Sequence, residues 1–435
     1  MKNKNILIIA PFFAPQTHAA VFRAHKLTKY LKKKGWNPIV LTVDINYNYN
    51  EDFGLLEELE GVPIFRTKYI EPTRRGIRML LSDKDLTYKT LKQENYFNHQ
   101  HSDKKSSPKG WLRHYAEIYL SSPDRYWTWK YSAIKKAEKI IQEYNVNTLF
   151  TTCSPFTSND IGLALKKKYN LKWVADFRDP ITYARRFHSD SFSVYRKQKK
   201  NQDDTFKFAD SITTTSSAYE LIFYDQYKGA FSDKVHFIPT GLDDDYLPSG
   251  IPSQGNYIIF AGEYLDEYGD FFFRVYSKAI DGMHKDNVIK IKIAGNKDIN
   301  TPFLTPILEK YNIKDFVEII DHMPQKALYK LISEAKYALT IIGEKAHWCI
   351  NSAKLTDYIA LQKQVISLVP DISETKSELT KAGLGIFIKQ DDTSVRLLSD
   401  LFNGKKIDTQ VDEAYCKRYL ASNQVESFIN LFEKA

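Results

Sequence analysis

The chain has 435 residues, 43% of them hydrophobic, and carries 62 Lys and Arg against 53 Asp and Glu, a formal charge of +9. This composition excludes collagen-like, coiled-coil and disordered classes and, at this length, predicts two or three globular domains. No apolar run approaches the roughly 18 residues of a membrane-spanning helix and no signal-peptide pattern precedes the first strand, so we expect a cytoplasmic protein.

The first half of the chain alternates short apolar runs with amphipathic stretches. Asn5–Ala10 is a continuous apolar run, typical of a parallel strand buried on both faces, and Ala20–Lys34 has helical periodicity that ends at Gly35. The loop between them opens onto a helix N-terminus, which is suited to anions. The other strands predicted in this half are Pro38–Val43, Val62–Arg66, Thr148–Thr152, Lys172–Asp176, Ser211–Thr215 and Val235–Ile238.

A second alternating series follows a segment rich in Pro, Gly and Ser at residues 248–256. Its predicted strands are Tyr257–Ala261, Ile289–Ala294, Val317–Ile320, Tyr337–Ile341, Gln364–Leu368 and Gly385–Ile388. Two such series predict an α/β protein of two doubly wound, Rossmann-like domains whose strand carboxyl ends face a common cleft. We place the domains at residues 1–240 and 241–411, followed by a terminal helix over residues 412–435.

The stretch over residues 71–125 interrupts the alternation and is both basic and aromatic. Between Pro72 and Ile140 there are 15 Lys or Arg and 7 Asp or Glu, which accounts for nearly all of the net charge. Basic residues beside bulky apolar side chains are typical of segments at an anionic membrane surface. We therefore expect peripheral attachment at the inner face of the cell membrane through residues that include Arg74, Arg75 and Arg78. The alternative is a solvated loop whose aromatic residues fill the core.

Cysteine and histidine show no pattern of metal ligands. The three cysteines, Cys153, Cys349 and Cys416, form no CxxC pair, and no spacing among the ten histidines suits a metal. The sequence therefore predicts no disulfide framework, no metal site and no cofactor.

Several short motifs follow one another along the chain. They are Pro11–Pro15 with Arg23-Ala24, Pro123-Asp124 with Trp127, Ser154-Pro155, ADFRDP at residues 175–180, IPTGLD at residues 238–243 and SAKLTDY at residues 352–358. In this order the motifs resemble those of GT-B glycosyltransferases, in particular the family-4 group of bacterial surface polysaccharide biosynthesis. The resemblance implies a GT-B fold whose C-terminal helix returns to the N-terminal domain. It also implies metal-independent transfer, with retention, of a sugar from a nucleotide diphosphate sugar to a saccharide or lipid-linked saccharide.

Under this resemblance the C-terminal domain binds the nucleotide-sugar donor, which is a co-substrate. Lys354 lies in the first turn of a helix and adds a positive charge for the diphosphate. Asp357, three residues on, is placed to accept hydrogen bonds from the ribose hydroxyls. Gly262 and Gly295 end strands and allow the backbone to approach the nucleotide. The other candidates for donor binding are His347 and Ser352. The alternatives are a Lys–Asp surface pair and ordinary turn glycines.

The N-terminal domain is expected to bind the acceptor and to supply the catalytic groups. Asp179 is placed to orient or deprotonate the acceptor hydroxyl, and Arg178 to hold a phosphate. His18, in the first loop, is a third catalytic candidate. The expected substrate-binding residues are Arg23, Ser154 and Asp176. For Arg178 and Asp179 the alternative is a structural ion pair that holds the following loop. For Arg23 the alternative is an arginine on the protein surface.

Three departures from the family's motifs favour a second interpretation, a catalytically inactive GT-B subunit that binds a glycan or supports a partner glycosyltransferase. Residues 17–20 read Thr-His-Ala-Ala where many members have Gly-Gly, and Cys349 stands where the first of two glutamates is usual. No Arg or Lys directly follows the strand Tyr257–Ala261. Nucleic-acid binding through the basic stretch is a weaker interpretation because no nucleic-acid module is recognisable, so we expect no such partner.

Overall fold

The computed structural model describes residues 3–17, 19–44, 51–72, 119–120, 122–179, 192–248, 255–343, 348–349, 353–405 and 410–434. The chain forms two compact units, one of Met1–Ile238 with Val425–Ala435 and one of Pro239–Gln424. Some residues singled out from the sequence lie outside the described ranges, namely His18, Arg74, Arg75, Arg78, His347 and Ser352.

The first unit contains a seven-stranded parallel sheet in the order β3-β2-β1-β4-β5-β6-β7. Its strands are β1 (Asn5–Ile9), β2 (Asn37–Asp44), β3 (Ile64–Lys68), β4 (Thr148–Cys153), β5 (Lys172–Phe177), β6 (Ser211–Thr214) and β7 (Val235–Phe237). Four of the five residues of β1 are buried, because β2 and β4 flank it and helices cover the sheet, which explains its continuous apolar run. Each strand agrees with its predicted range to within about two residues.

Helices connect these strands. They are α1 (Ala19–Lys33), α2 (Gly54–Glu57), α3 (Trp129–Glu143), α4 (Thr157–Tyr169), α5 (Phe192–Phe208) and α6 (Ser217–Tyr227). Along α1, the residues Val21, Ala24, Leu27 and Leu31 recur at helical spacing and are all fully buried. The helix α1 is therefore stabilised by burial of its apolar face against the sheet.

The second unit contains a six-stranded parallel sheet in the order β10-β9-β8-β11-β12-β13. Its strands are β8 (Tyr257–Ala261), β9 (Lys290–Ala294), β10 (Val317–Ile320), β11 (Tyr337–Ile341), β12 (Val365–Leu368) and β13 (Gly385–Phe387). Its helices are α7 (Phe271–Ala279), α8 (Lys297–Lys310), α9 (Gln325–Glu334), α10 (Ala353–Ala360), α11 (Glu374–Ala382), α12 (Thr393–Phe402) and α13 (Glu413–Lys417). In both sheets the first three strands extend one way and the fourth lies on the other side of the first, as in doubly wound folds.

The core of the second unit is divided by its sheet. Ile258 and Phe260 belong to one apolar cluster, whereas Tyr257, Ile259 and Ala261 belong to another. Alternate side chains of a strand point to opposite faces, so β8 contributes to a core on each side. A strand buried in this way is apolar throughout, which is why its range was predicted without error.

The last helix of the chain, α14 (Ala421–Glu433), carries the chain back to the first unit, as expected. The ring of Phe428 lies 5.4 Å from that of Phe150 in β4, and the ring of Phe432 lies 5.5 Å from that of Trp36. Residues from the end of the chain thus complete the core around the N-terminal sheet. No helix within the described ranges is long and apolar enough to cross a membrane.

Candidate functional site

A small cavity lies where three neighbouring strands of the second unit, β8, β9 and β10, reach their carboxyl ends. Its volume is about 80 Å³. The residues that line it are Gly262, Glu263, Ala294, Gly295, Asp321, His322, Met323, Leu328 and Lys354. Three of the residues predicted to bind a donor, Gly262, Gly295 and Lys354, are therefore brought together although 92 residues separate the first from the last. The carboxyl edge of a parallel sheet is where ligands of such folds bind.

At Gly262 and Gly295 the cavity is lined by backbone atoms rather than by side chains. A Cβ atom on Gly295 would lie 2.2 Å from the carbonyl oxygen of Gly262, so no larger residue fits there without moving the loop. Gly262 has a φ of +141°, a backbone conformation that is strained for residues with a side chain. Its N–H donates to the carbonyl of Ala294 at 2.8 Å. The close contact of the two loops thus requires glycine, and it leaves backbone rather than side chain at the cavity.

Lys354 is the only Lys or Arg among the described residues that line the cavity. Its Nζ lies 3.9 Å from Oδ2 of Asp357, which confirms that the two residues share one side of α10. Leu355, Tyr358 and Ile359 are buried on the other side, as predicted. The side chain of Asp357 is 10% exposed and that of Lys354 37% exposed, so the lysine is the more accessible of the pair.

Sequence reasoning missed the residues that follow β10. Asp321, His322 and Met323 line the cavity, and Oδ1 of Asp321 accepts hydrogen bonds from the backbone N–H of His322 at 2.8 Å and of Lys297 at 3.3 Å. These two hydrogen bonds lower the pKa of Asp321, so its carboxylate is ionised. The loop has no glycine and no motif. The one sequence feature that indicated a role at the site was the position of the loop directly after a predicted strand.

In the first unit, two of the predicted substrate-binding residues contact each other. Nε and Nη2 of Arg23 donate to the carboxylate of Asp176 at 2.8–3.1 Å, and both side chains are at most 2% exposed. Thr152 and Thr213 donate further hydrogen bonds to the same carboxylate at 3.0 and 2.7 Å. The arginine is therefore not a surface residue. The geometry supports a structural ion pair between α1 and β5, and a role in substrate binding stays a prediction.

Arg178 joins three loops at the carboxyl edge of the first sheet. Its Nη2 donates to the carbonyl of Ser154, and its own carbonyl accepts from Oγ1 of Thr215 at 2.8 Å. Its Nε is buried and has no hydrogen-bond partner among the described residues. Burial lowers the pKa of Arg178 in spite of the neighbouring negative charge of Asp179. Asp179, the next residue, is partly exposed.

No three His, Cys, Asp or Glu side chains within the described ranges gather as the ligands of a metal ion would. Cys153, Cys349 and Cys416 are buried, and no disulfide bond joins any two of them.

Comparison with known proteins gives a fold and no family. No family model matches the chain, and no curated protein sequence matches it. A glycosyltransferase from Rickettsia africae ESF-5 is similar in structure, with a TM-score of 0.55 and 14% identity over 100% of this chain and 99% of that chain. HepE from Anabaena in complex with UDP has a TM-score of 0.53 and 10% identity, over 98% of this chain and 94% of that chain.

A third solved structure is also similar over its full length. UDP-GlcNAc 2-epimerase from Methanocaldococcus jannaschii has a TM-score of 0.53 and 10% identity, over 99% of this chain and 100% of that chain. Together with the two parallel sheets and the returning helix, these similarities show that the chain has the GT-B fold. Since a protein with this fold is an epimerase, the fold alone does not define the activity, which depends on the residues of the site.

Proposed function

We propose that the chain is a glycosyltransferase that moves a sugar from a nucleotide diphosphate sugar to an acceptor. The observation that carries the proposal is the convergence of Gly262, Gly295 and Lys354 at one cavity at the carboxyl edge of the second sheet. Glycines at this edge let a ligand approach the backbone closely, and the ammonium group of Lys354 supplies the positive charge that a diphosphate requires. The second unit is therefore the donor-binding domain of the proposed enzyme.

In this proposal each residue of the donor site has a defined task. Lys354 neutralises charge on the diphosphate as the bond to the sugar breaks, which is the main stabilisation that a transferase of this fold supplies. Asp357 accepts hydrogen bonds from the ribose, and the loop of Asp321 and His322 borders the base. No metal ion or cofactor is part of the proposal.

The first unit is proposed to hold the acceptor and the remaining catalytic groups. Asp179 orients or deprotonates the acceptor hydroxyl, Arg178 holds a phosphate, Ser154 contributes to substrate binding, and His18 is a further catalytic or positioning residue. The proposed acceptor is a saccharide or lipid-linked saccharide of surface polysaccharide or glycan biosynthesis, and the proposed reaction is retaining. These finer statements rest on the motifs at residues 11–24 and 175–180.

A second candidate function is favoured by the charge of the cavity. Glu263 and Asp321 line it beside Lys354, the one Lys or Arg in the described part of its lining, and negative groups there oppose a diphosphate. This feature supports a catalytically inactive GT-B subunit that binds a glycan or supports a partner enzyme.

The experiment that separates the two functions is a turnover assay on the full chain. UDP-, GDP- and ADP-sugars are supplied with saccharide acceptors, and release of the nucleoside diphosphate is measured. Lys354→Ala and Asp357→Ala are expected to abolish release. Lys310→Ala is the control, because Lys310 forms an exposed ion pair with Asp270 elsewhere in the same unit.

Calorimetric titration of UDP, GDP and ADP completes the assay. Binding of one of these nucleotides would support donor recognition at the assigned site, whereas no binding of any of the three would contradict the assigned site and support the inactive subunit. Peripheral attachment to an anionic membrane through residues 71–125 is proposed from the sequence alone, and salt-sensitive co-sedimentation with anionic vesicles tests it.

A further inference from the structure

An accessible carboxylate lies at the cavity where β10 ends. Asp321 directly follows β10, is exposed and lines the cavity. Its Oδ1 accepts hydrogen bonds from the backbone N–H of His322 at 2.8 Å and from that of Lys297 at 3.3 Å, whereas Oδ2 accepts none within the described ranges. A carboxylate has about four acceptor positions, so two of them, both on Oδ2, are left for a ligand.

The same two hydrogen bonds determine which groups this loop offers to a ligand. The N–H groups of His322 and Lys297 already donate to Asp321, so they are not available to a carbonyl oxygen of the ligand. The carboxylate itself can only accept. A ligand group that meets Asp321 therefore has to be a donor, because an oxygen or an unprotonated ring nitrogen would meet negative charge without a hydrogen bond.

The strand order places Asp321 away from the cation of the site. The strands β10, β9, β8 and β11 follow one another across the sheet. Asp321 follows β10, whereas Lys354 belongs to α10, which comes after β11 in the chain, and Gly295 and Gly262 follow the two strands between. A diphosphate is attracted by the lysine and repelled by the carboxylate, so we expect a nucleotide to lie with its phosphates towards Lys354 and its base towards Asp321.

Apolar side chains complete the lining of the cavity. Met323, two residues after Asp321, and Leu328 of α9 both line it. Ligand sites commonly combine apolar walls with a few polar groups that fix orientation. A flat aromatic base meets both needs, since its faces contact apolar side chains while its polar edge reaches the carboxylate.

We infer that Asp321 binds the base of the donor nucleotide and selects guanine, so that the donor is a GDP-sugar. The inference rests on the proposed function, since it takes a nucleoside diphosphate as the ligand. Guanine presents two adjacent donors, N1–H and the 2-amino group, which match the two open positions of the carboxylate. Uracil and adenine each present a donor beside an acceptor, and that acceptor would meet the negative charge.

The first measurement is calorimetric titration of GDP, UDP and ADP into the wild-type full chain. We expect GDP to bind about tenfold more tightly than either of the others, because two hydrogen bonds to one base edge discriminate between bases on this scale.

The second measurement reverses the preference with Asp321→Asn. Asparagine keeps an oxygen for the two backbone N–H groups and places an amino group where Oδ2 was. The probes are GDP and xanthosine diphosphate, in which an oxygen replaces the 2-amino group of guanine. The wild-type chain should prefer GDP, and the variant should prefer xanthosine diphosphate, with a change of about tenfold or more in the ratio of the two affinities. Loss of folding cannot produce tighter binding of one nucleotide.

The matched control is Asp391→Asn. Oδ1 of Asp391 also accepts a backbone hydrogen bond, from the N–H of Thr393 at 3.0 Å. Asp391 is an exposed residue of the same unit and is not among the residues that line the cavity. This variant should leave the ratio of the two affinities unchanged.

Three outcomes would overturn the inference alone. One is tighter binding of UDP or ADP than of GDP by the wild-type chain, which would leave the donor site in place with another base. The others are an unchanged ratio in Asp321→Asn and an equal loss of affinity for both probes. Failure of the wild-type chain to bind GDP, UDP or ADP is a different result, and it would overturn the assigned donor site together with this inference.

Discussion

At the scale of single residues, the ion pair of Arg23 and Asp176 shows how a charge is kept inside the first unit. Transfer of two charges from water into a protein interior is costly unless each is paired and hydrogen-bonded. Here the carboxylate accepts from the guanidinium at two nitrogens and from Thr152 and Thr213. The guanidinium also lies over the ring of Phe428, 5.2 Å from its centroid. The pair is therefore held by side chains of α1, β4, β5, β6 and α14.

Removing one partner of the ion pair should destabilise the folded chain, because the other charge is then buried alone. We expect Arg23→Met to lower the free energy of unfolding by about 3–5 kcal/mol, because the carboxylate of Asp176 is then buried without its cation. Five of the six tryptophans precede residue 239, so tryptophan fluorescence in a denaturant titration reports on this unit. The double variant Arg23→Met/Asp176→Asn should lose less than the sum of the single variants. An unchanged stability of Arg23→Met, with loss of turnover, would instead support substrate binding by Arg23.

At the scale of elements, the N-terminus of α4 is capped from a distant part of the chain. Oδ2 of Asp124 accepts from the N–H of Thr157 at 2.8 Å, and Oδ1 accepts from Oγ1 of Thr157 at 2.8 Å and from the N–H of Tyr126 at 2.7 Å. A carboxylate at this end also meets the positive end of the helix dipole. Burial nevertheless raises the pKa of Asp124 to about 6, against the opposing effect of these hydrogen bonds.

The raised pKa predicts how the contribution of Asp124 to the free energy of unfolding changes with pH. The folded chain holds the proton of Asp124 more tightly than the unfolded chain, whose aspartate has the usual pKa of 3.8. The contribution is therefore fully present below about pH 4 and is lost as the pH rises through about 6. Asparagine does not titrate, so the stability of the wild-type chain relative to Asp124→Asn should fall by roughly 1–3 kcal/mol between pH 4 and pH 7. Parallel pH profiles of the two unfolding free energies would contradict this.

These elements also show which features a sequence can predict. Strands such as β1 and β8 were predicted because a parallel strand covered on both faces is apolar at every position. Gly262 and Gly295 were found because glycine after such a run marks a close approach of backbone. The cap of α4 and the partner of Arg23 were not predictable, since 33 and 153 residues separate the partners and only the folded chain brings them together.

At the scale of the whole molecule, the chain forms two compact units whose boundaries are not contiguous in sequence. Residues Val425–Ala435 belong to the same unit as the N-terminal half of the chain. Val425 and Phe428 are fully buried there, and Lys34 forms an ion pair with Glu426. The C-terminal residues therefore contribute apolar core to a unit that is otherwise complete by residue 238.

The size of that contribution can be measured with one substitution. Phe428→Ala should lower the free energy of unfolding of the first unit by about 3–5 kcal/mol, because it removes a buried ring from between Phe150 and Arg23. The matched control is Phe53→Ala, since Phe53 is 61% exposed and its removal should change stability by less than about 0.5 kcal/mol. Equal effects of the two substitutions on the fluorescence transition would contradict the assigned packing.

The return of the last helix has a consequence for how the protein is made. A ribosome that has finished the seven strands of the first unit still has to translate nearly two hundred residues before Val425 exists. At about 5–20 residues per second, this takes roughly 10–40 s. During that interval the ring of Phe150 lacks its contacts with Phe428 and Phe432, and incompletely covered apolar surface of this kind favours aggregation and chaperone binding. The unit that is synthesised first thus completes its core only after Val425 and the residues that follow it have been made.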